Sequence, residues 1–574
     1  MKILEHRALR GPNFYSRFLT IFMRLDIADL EARPSDTAEG IVDRALAVIP
    51  TLQEHRCSVG RRGGFIERLG RGTWAGHIVE HVAIELQNLV GFSVGFGKTL
   101  DTDEVGIYNV VYRYRDEATG MAAGVEAVDI VRRLFDGGEI DMPAILSRLH
   151  AVREANMLGP STGTIVDAAV QRGIPYYRLS ENSSCTQFGH GHKQEHIQAT
   201  VTGRTSLIGH GIADDKDWTK QILGDAGVPV PRGEIVSTLE EAHAAARRIG
   251  YPVVCKPLVG NHGRGVSTYI QDDQGLVDAF EAAQAHYDRV IVETHLAGED
   301  HRLVVIGGKL VAAARRRKAH VVGDGKSTLS ELVDAANRDP RRGVGHEKVL
   351  TRSELDHQAH RLIVQQGLTL DSVIPEGEIV FLKSTANLST GGTATDVTDD
   401  VHPEVRYTAE RIARLVGLDI IGIDLVAETL TRPLAEQAAG VVEVNAGPGF
   451  RMHTSPTEGT PRDLGGPVID MLFPGGDDGR IPITAVTGTN GKTTTVRLIA
   501  HMLRQAGRQT GLACTGTIEV DNHVVARGDY SGPQAAHTVL KDPIVEHAVL
   551  EVARGGIMRR GLGFDACDVG VMLN

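Results

Sequence analysis

The sequence has no run of about 18 or more apolar residues, the length a helix needs to cross a bilayer, and no apolar leader at its start. A membrane-spanning segment and a secretory signal are therefore not expected. Its five cysteines (Cys57, Cys185, Cys255, Cys514 and Cys567) are scattered, with no CxxC spacing. That argues against a disulfide framework or a zinc knuckle and for reduced, mostly buried thiols in a cytoplasmic protein. Positive charge is in deficit, with a formal net charge of -12, so nucleic acid and anionic membrane are excluded as main partners. Aromatic residues make up only 5% of the chain, and neither an internal repeat nor a low-complexity segment is evident. Glycine, by contrast, is plentiful at 66 residues, which fits an α/β protein with many strand-to-helix turns.

A chain of 574 residues exceeds what one core can organise, and three or four domains are expected. Residues 1–160 open on a strand and read as an α+β unit. Residues 161–475 alternate strand, turn and helix (YPVVCKPLVG, RVIVETHLAGED, KLVAAARRR). The polar linker PGGDDGRIP leads into a third unit over 481–574, which begins with the strand ITAV and a glycine loop.

In that third unit, Gly488-Thr489-Asn490-Gly491-Lys492-Thr493-Thr494 joins the strand to the helical stretch VRLIAHML. Strand, glycine loop and helix N-terminus in this order cradle phosphate: backbone N–H groups approach it, Lys492 adds a charge and Thr493 can hold Mg²⁺. Val486 stands where the strict Walker pattern has its first glycine. The form GTNGKTT instead resembles the Mur ligase family, in which this loop binds ATP. The resemblance gives Glu551, at the end of VLE, to Mg²⁺.

The middle unit places Lys256 at the end of YPVVCK, ahead of a glycine-rich stretch with His262, Gly263, Arg264 and Gly265. Lys220 lies upstream, Glu293 and Glu299 follow, and IIGIDLV with VVEVNAGPG supplies Asp424, Glu443 and Asn445. This ordered set resembles the ATP-grasp fold. The resemblance implies that the two lysines and the glycine loop contact the nucleotide phosphates, that the glutamates border adenine and ribose, and that the Asp, Glu, Asn trio binds Mg²⁺. Acyl-phosphate chemistry suits these residue types, since hard oxygens hold Mg²⁺ while cations neutralise the transferring phosphate. The run Arg315 to Lys318 carries four cations, with Arg316 the catalytic candidate and one or two others expected on a solvated face. Ser389-Thr390-Gly391-Gly392 offers hydroxyls and backbone N–H groups to a substrate carboxylate.

Together with LRGPNFYS, RGTWAGHIVEHVAIELQ, NLSTGGTATD and EVNAGPGFRMH, these motifs make the whole chain resemble the cyanophycin synthetase family. What the resemblance implies is a cytoplasmic homo-oligomer, a tetramer, using ATP and Mg²⁺. It would join L-aspartate to the backbone of a polyanionic cyanophycin primer and L-arginine to the aspartate side chains. Arg315, Arg317 and Lys318 depart from that family's residues. Asn574 precedes the family's next metal motif, so arginine addition is expected to be incomplete in the chain as it stands.

In the first unit, His77-Ile78-Val79-Glu80-His81 reads H-x-x-E-H, a spacing used by one group of zinc peptidases. His77 and His81 would bind Zn²⁺, Glu80 would be the base, and Glu85, one turn on, is the nearest third ligand. The same spacing also describes the polar face of an amphipathic helix. The family resemblance favours a hydrolase that cuts the polymer. His190, His192 and His196 in GHGHKQEH read as a solvated loop. Metal-dependent hydrolysis, or a non-catalytic partner subunit, are the alternatives to a ligase.

Overall fold

The computed structural model describes residues 1–180, 183–259, 265–343, 350–383 and 386–574. It is a multidomain α/β protein whose contacts divide the chain into two units. One comprises Met1–Met157, Gly189–Gln194 and Gly479–Asn574; the other comprises Leu158–Phe188 and Glu195–Asp478. No helix among the described residues is long and apolar enough to cross a membrane.

The first unit holds two sheets with separate cores. The N-terminal one is antiparallel, with strands in the order Lys2–Leu9, Thr20–Asp26, Ile107–Arg113, Gly97–Asp101. Alternation puts Met23, Leu25 and Val110 on the face that packs Ile78, Val82 and Leu86 of the helix Ala75–Leu89. The C-terminal sheet runs His523–Asp529, Thr510–Val520, His547–Glu551, Ile483–Thr487, Val569–Met572. The edge strand His523–Asp529 pairs antiparallel and all other pairs are parallel; the inner strands Ile483–Thr487 and His547–Glu551 are nearly continuous apolar runs, as burial on both faces requires.

The stretch 189–194 belongs to this unit rather than to solvent. The His190 N–H donates to the Gly479 carbonyl at 2.8 Å and the His192 N–H to that of Val545 at 3.0 Å. His190 is 1% exposed. The solvated loop expected for GHGHKQEH is corrected at His190, where backbone pairing with glycines on either side lets the ring bury, whereas His192 is exposed and His196 half-buried.

Two antiparallel sheets of the second unit carry the candidate residues. The smaller orders Ser267–Ile270, Val253–Pro257, Val290–Thr294, Gly233–Val236, backed by the helices Leu239–Ile249 and Asp273–Gln284. The larger orders Thr393–Asp396, Lys309–Arg317, Glu299–Ile306, Ile420–Ala427, Gly440–Asn445. One face of the larger sheet packs Leu303, Ala313, Ile423 and Leu425 against the helix Pro403–Val416. The other is apolar only at one end, where Val304, Ile306, Ala312 and Ile420 meet the helices Pro160–Gln171 and Gly465–Leu472. Strand register then carries Asp300, Arg302, Arg316, Asp424 and Glu443 onto the remaining half of that face.

Candidate active site

On the small sheet, Lys256 and Glu293 sit on neighbouring strands, paired Lys256 with Ile291 and Val254 with Glu293. Lys220 comes from the helix Lys216–Asp225. Both ammonium groups meet one carboxylate, since Lys256 Nζ lies 2.6 Å from Glu293 Oε1 and Lys220 Nζ pairs with Oε2. Glu293 is 2% exposed and Lys256 6%. Burial lowers the Lys220 pKa to about 8. It pushes Lys256 well below the usual lysine range, the neighbouring charge of Lys220 adding to the effect and Glu443 opposing it. Two cations against one anion leave a positive excess suited to phosphate. His262, Gly263 and Arg264 lie outside the described residues, while Gly265 is described with φ +68°.

On the large sheet, Asp424 stands beside Glu443, and Gly422 beside Asn445. Asp424 is held by Arg302, through an Nε contact and an NH2···Oδ2 distance of 3.0 Å, and by Arg316 at 3.4 Å. Burial would raise the Asp424 pKa, but the two guanidinium groups outweigh it and the net shift is downward. Strand alternation resolves the cationic run. Arg316 is 9% exposed and turned to Asp424, whereas Arg315 and Arg317 pair with Glu299 from the other side at 3.1 and 3.5 Å. The Asn445 Nδ2 atom is buried without a partner among the described residues. Two carboxylates and a carboxamide oxygen are the hard donors Mg²⁺ takes, so the trio fits that ion. The charge of Glu443 also acts on Lys256, opposing the effect of burial.

The 389–392 stretch is a 3₁₀ turn, Leu388–Thr390, closed by Gly391 at φ +95°. A Cβ on Gly391 would lie 2.4 Å from Ser353 Oγ, and one on Gly392 2.8 Å from the Arg317 carbonyl. The turn is thus seated directly against the arginine strand. Arg342, buried and absent from the sequence reading, donates to the carbonyls of Thr351 at 2.6 Å and Gly391 at 3.2 Å.

In the C-terminal sheet, the loop 488–491 follows the strand Ile483–Thr487 and Gly491 caps the helix Lys492–Gln505. Val486 registers with Glu551 on the adjacent parallel strand, so Glu551 ends beside the loop. Thr493 Oγ1 donates to Glu551 Oε2 at 2.9 Å, and the Thr515 N–H and hydroxyl hold the same carboxylate at 3.0 Å each. Lys492 Nζ folds back on the Gly488 and Thr489 carbonyls. Thr489, Asn490 and Thr494 are exposed.

The H-x-x-E-H helix does not present its polar face to solvent. Glu80, His81 and Glu85 are buried and line, with His77, a cavity of about 750 Å³. His77 Nδ1 lies 2.9 Å from Thr73 Oγ1, leaving Nε2 facing Cys57 Sγ at 3.3 Å. Cys57, His77 and His81 bring donor atoms within 4.8 Å of one another. Glu85, the expected third ligand, is instead engaged by His55 Nε2 at 2.6 Å, and His55 Nδ1 by His81 Nδ1 at 2.7 Å. The correction follows from tertiary structure: Cys57 arrives from a 3₁₀ turn, Cys57–Val59, that helix periodicity cannot see. Burial raises the Glu80 pKa to about 7, although Thr99 donates to it at 2.7 Å. It lowers that of His77 to about 4 and that of His81 well below its usual range.

Three family models match. They are the cyanophycin synthase-like N-terminal domain over residues 21–136, the ATP binding domain of the carbamoyl-phosphate synthase L chain over 215–353, and the Mur ligase middle domain over 486–574. Cyanophycin synthetase of Synechocystis sp. is 50% identical over 582 residues, an alignment covering 100% of this chain and 67% of that one. Cyanophycin synthetase of Crocosphaera subtropica matches at the same 50% identity, 100% and 67%. A bifunctional glutathione biosynthesis protein of Mannheimia succiniciproducens is 33% identical over 348 residues, 59% of this chain and 46% of that one. The chain thus spans about two thirds of the length of the first two relatives.

Proposed function

This chain belongs to the cyanophycin synthetase family, and on that premise we propose that it is an ATP-dependent ligase of cyanophycin synthesis. Its middle segment, about 161–475, would join L-aspartate to the growing poly-aspartate backbone. The segment 481–574 would be the phosphate-binding part of the arginine-adding centre. The observation that supports the reading is the buried Lys220–Glu293–Lys256 cluster on one sheet together with Asp424, Glu443 and Asn445 on adjacent strands of the other.

In this reading Lys220 and Lys256 hold the phosphates of ATP, with Glu293 between them, while Glu299, paired with Arg315 and Arg317 on the other face of the large sheet, is left out of the nucleotide site. The turn 389–392 binds the primer's terminal carboxylate through its hydroxyls and backbone N–H groups. Bound Mg²⁺ at Asp424, Glu443 and Asn445 supplies charge neutralisation of the phosphate. Arg316 faces the same place and stabilises the negative charge that develops on transfer. Thr493 and Glu551 play the metal-holding part at the second loop. The protein is cytoplasmic and homo-oligomeric in this reading, a tetramer by family resemblance, which sedimentation velocity would test.

Purified protein should release phosphate from ATP only when aspartate and an arginine-bearing primer are both supplied, and Lys256→Ala or Glu443→Ala should abolish the release. Phosphate release that ignores the primer sinks the proposal. Incorporation of labelled aspartate and of labelled arginine, followed separately, assigns each half.

One observation favours a second activity in the N-terminal unit. The Cys57, His77, His81 cluster offers nitrogen and thiolate donors that fit Zn²⁺, and buried Glu80 lines the same cavity as these three residues, where it can serve as the proton-transferring base. We assign this site to hydrolysis of the polymer. Loss of cleavage in Glu80→Gln, without ATP present, tests it.

A further inference from the structure

Buried polar groups are almost always hydrogen-bonded, so one that is not calls for an account. His453 is such a group: it is 1% exposed and neither ring nitrogen has a partner among the described residues. It lies on the short helix Arg451–Thr454. Met452 of that helix packs with Ala314 and Ala394, which share a sheet face with Arg302, Arg316 and Asp424. Burial lowers the His453 pKa to about 3, and the charges of Arg302, Asp396, Arg316 and Asp424 all act on the ring. The imidazole is therefore a neutral donor and acceptor on a helix packed against the sheet face that carries the arginine pair. Two other donors of the same neighbourhood, Arg316 Nε and Asn445 Nδ2, are also buried without partners among the described residues.

Asp424 explains why an uncommitted acceptor would be kept there. Arg302 contacts both of its oxygens and Arg316 approaches one of them. Mg²⁺ demands carboxylate oxygens at about 2.0–2.1 Å, the same lone pairs the guanidinium groups use. A cation arriving at Asp424 competes with these guanidinium groups for the carboxylate, and a buried guanidinium N–H that loses its acceptor is costly. Asp396 is already occupied by Arg462 and Thr398.

We propose that His453 is a positioning residue that receives an arginine N–H displaced from Asp424. It thereby couples metal entry at Asp424 to the reorientation of Arg302 and Arg316 toward the transferring phosphate. This rests on the ATP-grasp reading of the site but assigns a role no motif in it requires. His453 itself touches neither substrate nor metal. Its contribution is an acceptor that lowers the cost of exchanging guanidinium for cation.

The test is the affinity of the protein for Mn²⁺ in the presence of a non-hydrolysable ATP analogue, read by electron paramagnetic resonance. A Glu551→Gln background silences the other phosphate loop. His453→Leu keeps most of the ring's volume and removes the acceptor; His453→Gln keeps an acceptor. The expected result is that His453→Leu weakens Mn²⁺ binding by about 10-fold or more, the scale of lost outer-shell partners, while His453→Gln stays near the parent. Equal affinities for all three, or equal weakening in both variants, overturns the proposal. Should His453→Leu lose its cooperative melt, His453→Met takes its place under the same criteria. Nucleotide-analogue binding measured alone distinguishes this failure from failure of the site as a whole, because an intact ATP site keeps the analogue in every variant.

Discussion

Replacing Glu293 by Gln removes the one carboxylate that serves both Lys220 and Lys256 and changes little else in shape. At an effective dielectric of about 20, unit charges 2.6 Å apart attract by roughly 6 kcal/mol. Much of that offsets the desolvation of the two charges. What remains on removing one partner of a buried pair is about 3–5 kcal/mol, because the other charge is stranded. At about 2–4 °C per kcal/mol for a large domain, the melting temperature at neutral pH should fall on the order of 10 °C. The pH dependence has a definite sign. A buried lysine with a depressed pKa, about 8 for Lys220, binds fewer protons folded than unfolded, so stability rises as pH climbs from that value toward the ordinary lysine pKa. The deficit of Glu293→Gln should therefore be widest near pH 6–7 and narrow above about pH 8. Adding Lys256→Met to Glu293→Gln should recover part of the loss, and a bound ATP analogue should recover more, its phosphates replacing the missing carboxylate. Differential scanning calorimetry across pH reads all three. A melting point within about 2 °C of the parent at neutral pH, or a double variant weaker than the single one, refutes the reasoning.

Glu80, with its pKa raised from 4.5 to about 7, binds protons more tightly folded than unfolded. Stability should then fall across that window as pH rises, by at most about 3 kcal/mol, and melting curves of Glu80→Gln should lack this slope. Cys57→Ser should weaken Zn²⁺ binding in a chelator competition by about 10-fold or more, whereas Glu85→Gln, acting through His55, should have the smaller effect. Gly391→Ala places a Cβ 2.4 Å from Ser353 Oγ at φ +95°. It should raise the KM for primer by about tenfold, about 1.4 kcal/mol, while binding of an ATP analogue is unchanged. Glu551→Gln and Thr493→Ala should each remove Mg²⁺-dependent nucleotide binding at the loop 488–494, read by titration with the middle site disabled by Lys256→Ala.

The glycine loop was legible because its form is local: strand, glycine turn and helix N-terminus follow one another within a dozen residues, and Glu551 does end a strand, as its apolar run suggested. The order of Lys220, Lys256, Glu293, Asp424, Glu443 and Asn445 along the chain was also legible, since each ends or interrupts an apolar strand or helix. So were the α/β class and the family, carried by motifs whose spacing does not depend on the fold being seen.

Tertiary structure decided what pairs with what. Arg302 carries no signal beyond its place in an alternating strand, yet register sets it opposite Asp424. Period-two alternation, not composition, separates buried Arg316 from Arg315 and Arg317. Cys57 and His55 reach His77 and His81 from about 20 residues away through a chain reversal, so the helix pattern alone pointed to Glu85. His453 lay within a recognised motif, but nothing in one dimension says that a histidine will be buried with both nitrogens unspent. The sequence alone determines which chemical groups exist and which local frames hold them, because backbone periodicity acts over a few residues. Desolvation and pairing depend on neighbours brought together across hundreds of residues, and those were settled only by the packed sheets.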